Sequence, residues 1–253
     1  MRITAKTDIG RGRTENQDNY RAGVLPNGIV WAVVCDGMGG ANGGAVASRL
    51  AADSMEETFT QAFDAEEPPK GIPGIQENAI EKANETIYLC ARQNLSMAGM
   101  GTTVVSAVLR KGVLYLSHVG DSRAYLYRDG GLELLTRDHS MVQALVEKGS
   151  ITEEEAYRHP GKNLITRALG VGPKVEAESV AVHIRQGDVV LLCSDGLSNY
   201  VTQEEMAAVM RDKPFFEAAG ALVDAALDAE GHDNITALLI MAETEAEETT
   251  WTH

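Results

Sequence analysis

The apolar residues of this chain gather into short runs that end on polar, glycine-containing turns. Residues 29–35 are apolar throughout, rich in β-branched side chains, and stop abruptly at Asp36-Gly37-Met38-Gly39-Gly40. A short uninterrupted run of this kind predicts a strand buried on both faces. The ending recurs. Residues 114–119 lead to Gly120-Asp121, residues 189–193 lead to Ser194-Asp195-Gly196, and Gly231-His232-Asp233-Asn234 stands just before the apolar run 235–241. Asp36, Asp121, Asp195 and Asp233 therefore sit at the ends of core strands, where a rigid element can hold a carboxylate at the edge of solvent.

The other elements follow from the same patterning. Residues 3–9 and 19–24 read as strands, joined by a polar connection that carries Arg11 and Arg13. Residues 45–63 and 75–95 have the 3.6-residue period of amphipathic helices. Val46, Leu50, Met55, Phe59 and Phe63 share one face of the first, and Ile80, Ala83, Ile87 and Ala91 one face of the second. Proline and glycine make residues 64–74 a loop between them. Strands at 104–109, 113–119, 124–127 and 132–135 form a meander, with Lys111-Gly112 and Asp129-Gly130 as hairpin turns. Residues 139–169 are a polar excursion holding a short helix at 141–148 and a run of three glutamates. Strands resume at 175–183 and 188–193, and helices at 203–211 and 214–229 precede the last strand.

About ten strands in antiparallel runs, with two pairs of helices between them, predict an α+β fold. Two sheets packed face to face, each covered by a helix layer, bury every amphipathic face. At 253 residues the chain can build one such core, and residues 1–242 read as a single domain. The acidic, threonine-rich tail 243–253 is expected to fray.

Composition narrows the function. A net charge of -15 without a Lys/Arg cluster argues against nucleic-acid or anionic-membrane partners. No apolar run approaches the roughly 20 residues that span a bilayer. The three cysteines, Cys35, Cys90 and Cys193, lie within apolar strands or a helix and read as free thiols. The chain is expected to act in the cytoplasm, as a monomer.

A single Asp-Gly is usually a turn, and a single loop arginine usually a solvated charge. The recurrence of aspartates at strand ends points beyond that, to one shared oxygen-rich site. Carboxylates crowded in a partly dry cleft repel by several kcal/mol unless a cation intervenes. All-oxygen ligation selects Mg²⁺, Mn²⁺ or Ca²⁺ over zinc, and four acids suit two ions better than one. Such a pair acidifies a water and clamps an in-line displacement at phosphorus. Arg13, followed closely by Asn16 and Asp18, is the natural phosphate partner because its guanidinium binds phosphate in a fork. His118 and His232 flank the acids in sequence and are candidate proton donors, though an ordinary hydrogen-bonded neighbour is the simpler role for either. No Gly-Lys-Ser/Thr follows the glycines at 37–40, no Gly-x-Ser-x-Gly surrounds Ser194, and no His-Glu-x-x-His occurs.

Six motifs now stand in order: Arg13-Thr14-Glu15-Asn16-Gln17-Asp18, Asp36-Gly37-Met38-Gly39-Gly40, Gly99-Met100-Gly101-Thr102-Thr103, Val119-Gly120-Asp121-Ser122-Arg123, Ser194-Asp195-Gly196-Leu197 and Asp233-Asn234-Ile235-Thr236. Together they resemble the bacterial branch of the metal-dependent protein phosphatase 2C family, over essentially the whole chain except the tail. The resemblance implies an α-β-β-α sandwich that removes phosphate from phosphoserine and phosphothreonine in proteins, opposing a Ser/Thr kinase. It implies a Mn²⁺ or Mg²⁺ pair bridged by Asp36 and completed by the Gly37 carbonyl, Asp195 and Asp233. Asp18 would anchor the second-metal side through water, Asp121 would help hold a third ion, and Arg13 would take the phosphate. Residues 139–169 correspond to a flap that affects substrate choice. Two positions depart from eukaryotic members: Met38 stands where they have a histidine proposed as general acid, and Gln17 where many have glutamate. The proton donor is left open between a metal-bound water and His118. Hydrolysis of small phosphate esters or phosphotyrosine, and a non-catalytic phosphoprotein-binding module, are the competing readings.

Overall fold

The computed structural model describes residues 2–25, 27–63 and 71–243. One sheet takes the order β1 (Arg2–Asp8), β11 (Ile235–Met241), β10 (Val189–Cys193), β7 (Arg123–Arg128), β8 (Gly131–Leu134). The other takes the order β2 (Asp18–Val24), β3 (Val30–Met38), β5 (Val104–Arg110), β6 (Val113–Val119), β9 (Glu178–His183), and the short β4 (Gly101–Thr102) pairs with the end of β3. Every ladder is antiparallel. Helices α1 (Gly40–Phe63) and α2 (Gly71–Gln93) cover the second sheet, and α6 (Gln203–Asp212) and α7 (Phe215–Asp228) cover the first. The expected sandwich of two sheets between two helix pairs is the observed one. No helix among the described residues is long and apolar enough to cross a membrane.

The continuous apolar runs arise because their strands are covered on both faces. On β3, Trp31, Val33 and Cys35 pack outward with Met55 and Phe59 of α1, while Val30, Ala32 and Val34 pack inward between the sheets. On β10, Val190 and Leu192 point inward, and on β11 so do Leu238 and Ile240. The period of two runs on beyond the apolar residues. Asp36 is two places past Val34, Ser194 two past Leu192, and Thr236 two before Leu238, so all three leave the inner face at one end of the sandwich. Asp18 lies opposite Asp36 in the β2–β3 ladder and shares that face. Alternation alone thus brings polar groups from both sheets to one place.

Turn chemistry matches the sequence at both hairpins. Lys111-Gly112 and Asp129-Gly130 have φ of 49° and 73°, and 53° and 83°, as two-residue type I′ loops need. Helix starts were less legible. Helix α1 begins at Gly40, five residues before the expected start, and α2 at Gly71 rather than 75. Glycine's low helix propensity argues for a loop over 39–44, but tertiary packing overrides it: a Cβ on Gly43 would lie 3.0 Å from the Met100 Cβ, and one on Gly44 2.8 Å from the Gly37 carbonyl carbon. The helix comes so close to β3 that only glycine fits. Residues 64–70 of the expected loop lie outside the described residues, as does the tail beyond Glu243.

Residues 139–169 carry α3 (Met141–Glu147) and α4 (Glu153–Tyr157), the latter opened by a Thr152–Glu155 capping box. The glutamate run expected from sequence is therefore the first turn of a helix, where negative charge is favourable. The excursion closes on itself through Thr166 N–H to the His139 carbonyl at 2.7 Å and Met141 N–H to the Leu164 carbonyl at 2.8 Å. Its base is tied to β9, where Glu178 Oε1 receives Arg137 at 3.2 Å, His139 at 3.2 Å and Arg167 at 3.6 Å.

Candidate active site

A polar cleft of about 510 Å³ opens at the end of the sandwich to which the inner faces lead, and Arg13, Asp36, Gly37, Asp121, Asp195 and Asp233 all line it. Asp18 does not. It is buried beneath the cleft, across the ladder from Asp36. Asn163 and Ile165 of the 139–169 excursion complete one wall.

Backbone contacts fix the acids. The Asp36 N–H donates to Thr103 Oγ1 at 3.0 Å, and its carbonyl accepts the Thr103 N–H and the Thr102 hydroxyl, both at 2.8 Å. This is the work of the Gly99–Thr103 motif, whose threonines read from sequence only as the lead-in to a strand. Asp195 is not in a turn but opens the short helix α5 (Asp195–Ser198), with its Oδ2 accepting from Asn199 Nδ2 at 2.9 Å. Arg13 forks onto Asp233, Nε to Oδ1 and Nη2 to Oδ2, each at 2.8 Å. Asn234 staples the arginine loop in place: its Oδ1 accepts the Gln17 N–H at 2.8 Å, and its Nδ2 donates to the Ile9 and Glu15 carbonyls at 2.9 and 3.0 Å.

Gly37 is held by proximity. A Cβ there would collide with the Gly44 backbone and sit 2.8 Å from the Gln17 carbonyl oxygen. Gly37→Ala is expected to push α1 off β3, at an overpacking cost of about 1–3 kcal/mol, or roughly 2–12 °C in melting temperature. An unchanged melting temperature would contradict this close approach.

The acids are electrostatically frustrated. Burial raises Asp36 well above the ordinary 3.8, with Asp18 as the strongest of its repelling charges. Burial, then Asp195, raises Asp121. Asp195 goes to about 6 through burial and Asp233. Asp18 goes to about 7 through burial, opposed by hydrogen bonds from Thr236 and Ser194. Among the described residues, Asp18 Oδ1 is a buried carboxylate oxygen with no hydrogen-bond partner. An all-oxygen donor set with raised pKa values and an orphaned carboxylate oxygen fits hard divalent cations.

A pH dependence follows. Between the ordinary value of 3.8 and about 6–7, the folded chain holds protons on Asp18 and Asp195 that the unfolded chain has released. The contribution of these two acids to the stability of chelator-treated protein is therefore fully present below that window and is lost as pH rises through it. Melting curves in EDTA should shift to lower temperature from pH 4.5 to 7.5, and saturating Mn²⁺ should remove most of that slope. A melting temperature in EDTA that rises with pH would contradict it.

Neither candidate histidine lines the cleft, and His118 takes the simpler role of a hydrogen-bonded neighbour. His118 is buried, its Nε2 bonds the Arg137 carbonyl at 2.8 Å, its ring stacks on His139 at 4.8 Å, and it does not line the cleft. Its parity on β6 places it under the base of the excursion instead. His232 is exposed and also absent from the lining. Ligand atoms of His118, His139 and Glu178 do lie within 4.8 Å of one another. Arg137 and Arg167 already neutralise that carboxylate, and His139 Nδ1 accepts the Gly120 N–H at 3.2 Å, so the trio is a tether rather than a cation site.

The comparisons agree with this geometry. Residues 9–239 match the family model described as protein phosphatase 2C. The chain is 40% identical over 247 residues to the serine/threonine phosphatase stp of Listeria welshimeri, covering 95% of each. It is 36% identical over 252 residues to protein phosphatase PhpP of Streptococcus pneumoniae, covering 98% of this chain and all of that one. Among solved structures, serine/threonine phosphatase Stp1 from Staphylococcus aureus superposes with a TM-score of 0.88 at 33% identity, covering 96% of this chain and 95% of that one. The catalytic domain of PstP in complex with two manganese ions gives 0.83 at 34% identity, covering 96% and 98%. With its motifs in order, its sandwich and its acidic cleft all accounted for, this chain belongs to the protein phosphatase 2C family.

Proposed function

We propose that the chain hydrolyses phosphoserine and phosphothreonine in proteins, using Mn²⁺ or Mg²⁺ held in the acidic cleft. The observation that carries this is the meeting of Asp36, Asp121, Asp195, Asp233 and Arg13 in one pocket. Asp36, the Gly37 carbonyl, Asp195 and Asp233 would hold two ions, and Asp121 a third. When bound, such ions supply an acidified water and neutralise charge on phosphoryl oxygens. Asp36 stands centrally, on the strand that α1, Thr102 and Thr103 brace. Arg13 uses one edge of its guanidinium on Asp233, which leaves the Nη1 edge to grip phosphate and orient it for in-line attack. Asp18 would accept from water on the metal side. His118 is buried and outside the cleft, which favours the other candidate, a water of the metal site, as the group that would protonate the leaving alkoxide.

The substrate is a phosphoprotein, and a Ser/Thr kinase supplies it in a signalling cycle. Asn163 and Ile165 bring the flap to the rim of the cleft, where residues flanking the phosphoamino acid would pass. Free thiols at Cys35, Cys90 and Cys193 suit a reducing cytoplasm. The test is phosphate release from phosphothreonine, phosphoserine and phosphotyrosine peptides beside p-nitrophenyl phosphate. The phosphothreonine peptide should have the higher kcat/KM; preference for phosphotyrosine, or activity on the small ester alone, would overturn the substrate class.

A further inference from the structure

Beneath the cleft a chain of hydroxyl groups ends on Asp18. Asp18 Oδ2 accepts from Ser194 Oγ at 2.7 Å and from Thr236 Oγ1 at 2.6 Å. These two donors are themselves joined, because the Thr236 N–H donates to Ser194 Oγ at 3.0 Å. Thr236 Oγ1 lies 2.9 Å from Thr7 Oγ1, which accepts from Asn16 Nδ2 at 2.9 Å. The Asn16 amide is oriented by its other end, since its Oδ1 accepts the Asp18 N–H at 3.0 Å.

Counting protons gives the chain a direction. Each hydroxyl carries one proton. Thr236 and Ser194 each donate their one proton to the Asp18 carboxylate, so the proton between Thr236 and Thr7 belongs to Thr7, which accepts from Asn16, while Ser194 accepts from a backbone N–H. Both charge-assisted bonds fall on Oδ2. Oδ1 of the same carboxylate is buried with no partner. A buried acceptor left without a donor costs free energy, so a purely structural aspartate would have both oxygens filled. This one is filled on one side only, and its ladder partner is Asp36.

We infer that Ser194, Thr236 and Thr7 are positioning residues: their one-way hydroxyl chain holds Asp18 so that Oδ1 stays open as acceptor for water on a divalent cation at Asp36. This rests on the metal-dependent reading above and adds to it three residues that touch neither cation nor phosphate. Ser194 directly follows β10 and Thr236 lies in β11, while Asp18 and Asp36 belong to β2 and β3, so the chain also couples the two sheets at the site.

The experiment is calorimetric titration of metal-free full-length protein with Mn²⁺ alone, for wild type, Thr236→Val, Thr236→Ser and Ser194→Ala. Wild type should bind at least two ions. Thr236→Val should weaken one class of site by roughly 10- to 100-fold and leave the other unchanged, as loss of an outer-shell partner does. Thr236→Ser, which keeps the hydroxyl, should restore it. On a phosphothreonine peptide, kcat should fall in Thr236→Val with little change in KM. Folded Thr236→Val that binds Mn²⁺ as wild type does would overturn the inference alone. Should Thr236→Val misfold, Ser194→Ala decides in the same way. Wild type that binds no Mn²⁺ would overturn the metal-dependent reading, and this inference with it.

Discussion

Asp36→Asn is expected to abolish phosphate release while leaving a folded protein that resists heat better than metal-free wild type. The two effects share one cause. Asp36 sits among Asp18, Asp195, Asp121 and Asp233, and each raises its affinity for a proton. An asparagine has nearly the same shape but no charge, so the repulsion that destabilises the empty cleft is relieved. In the proposed function the same neutralisation would remove the central carboxylate on which both ions depend. Loss of several kcal/mol of transition-state stabilisation, at 1.36 kcal/mol per factor of ten, means on the order of 10³-fold or more in turnover. Assays at saturating Mn²⁺ and melting curves in EDTA check both halves. A variant that stays active, or one that melts earlier than metal-free wild type, contradicts the placement of Asp36 at the centre of the site.

Arg13→Ala should lower kcat/KM roughly 10- to 150-fold, mostly through KM, for the loss of about 1.5–3 kcal/mol of charged hydrogen bonding. Arg13→Lys should recover only part of this, because an ammonium keeps the charge but not the fork. The side chain is 54% exposed and braced by Asp233, so its removal disturbs no core and the effect should be confined to substrate binding. Steady-state kinetics on one phosphothreonine peptide distinguishes the cases. Equal activity in Arg13→Lys and wild type would mean that Arg13 acts as a diffuse charge and not as a phosphate clamp.

Much of this architecture was legible because burial on both faces writes itself as uninterrupted apolar runs, and because antiparallel strands joined by Lys111-Gly112 and Asp129-Gly130 need those residue types. Asp36, Asp195 and Asp233 were legible as recurrences at strand ends. Parity, which the apolar residues fix and the polar ones inherit, brings Asp36 to the same end as Ser194 and Thr236. Asp195 and Asp233 instead share the outward parity of Cys193 and Ile235, and reach the cleft only through the short helix α5 and the loop before β11. The glycines at 39–44 misled, since only the packed structure shows that α1 is pressed against β3 and Met100. Nothing in sequence could separate His118 from the site three residues away: a strand end followed by a turn sends Asp121 into the cleft while the imidazole stays buried beneath. Ser194 and Thr236 stand within the motifs but carry no signal of their own, because a serine and a threonine are too common for spacing alone to single them out. Asn163 and Ile165 sit in a stretch with no periodicity, and only the closed neck of the excursion brings them to the cleft.

The most direct test of the whole account is phosphate release from a phosphothreonine peptide by protein first stripped of metal and then titrated with Mn²⁺ or Mg²⁺, with Asp36→Asn alongside. The account predicts no release in chelator, release that rises with metal and saturates, and none from the variant at any metal concentration. Undiminished release in chelator, or metal-dependent release equal in Asp36→Asn and wild type, would contradict a metal-dependent phosphatase centred on Asp36.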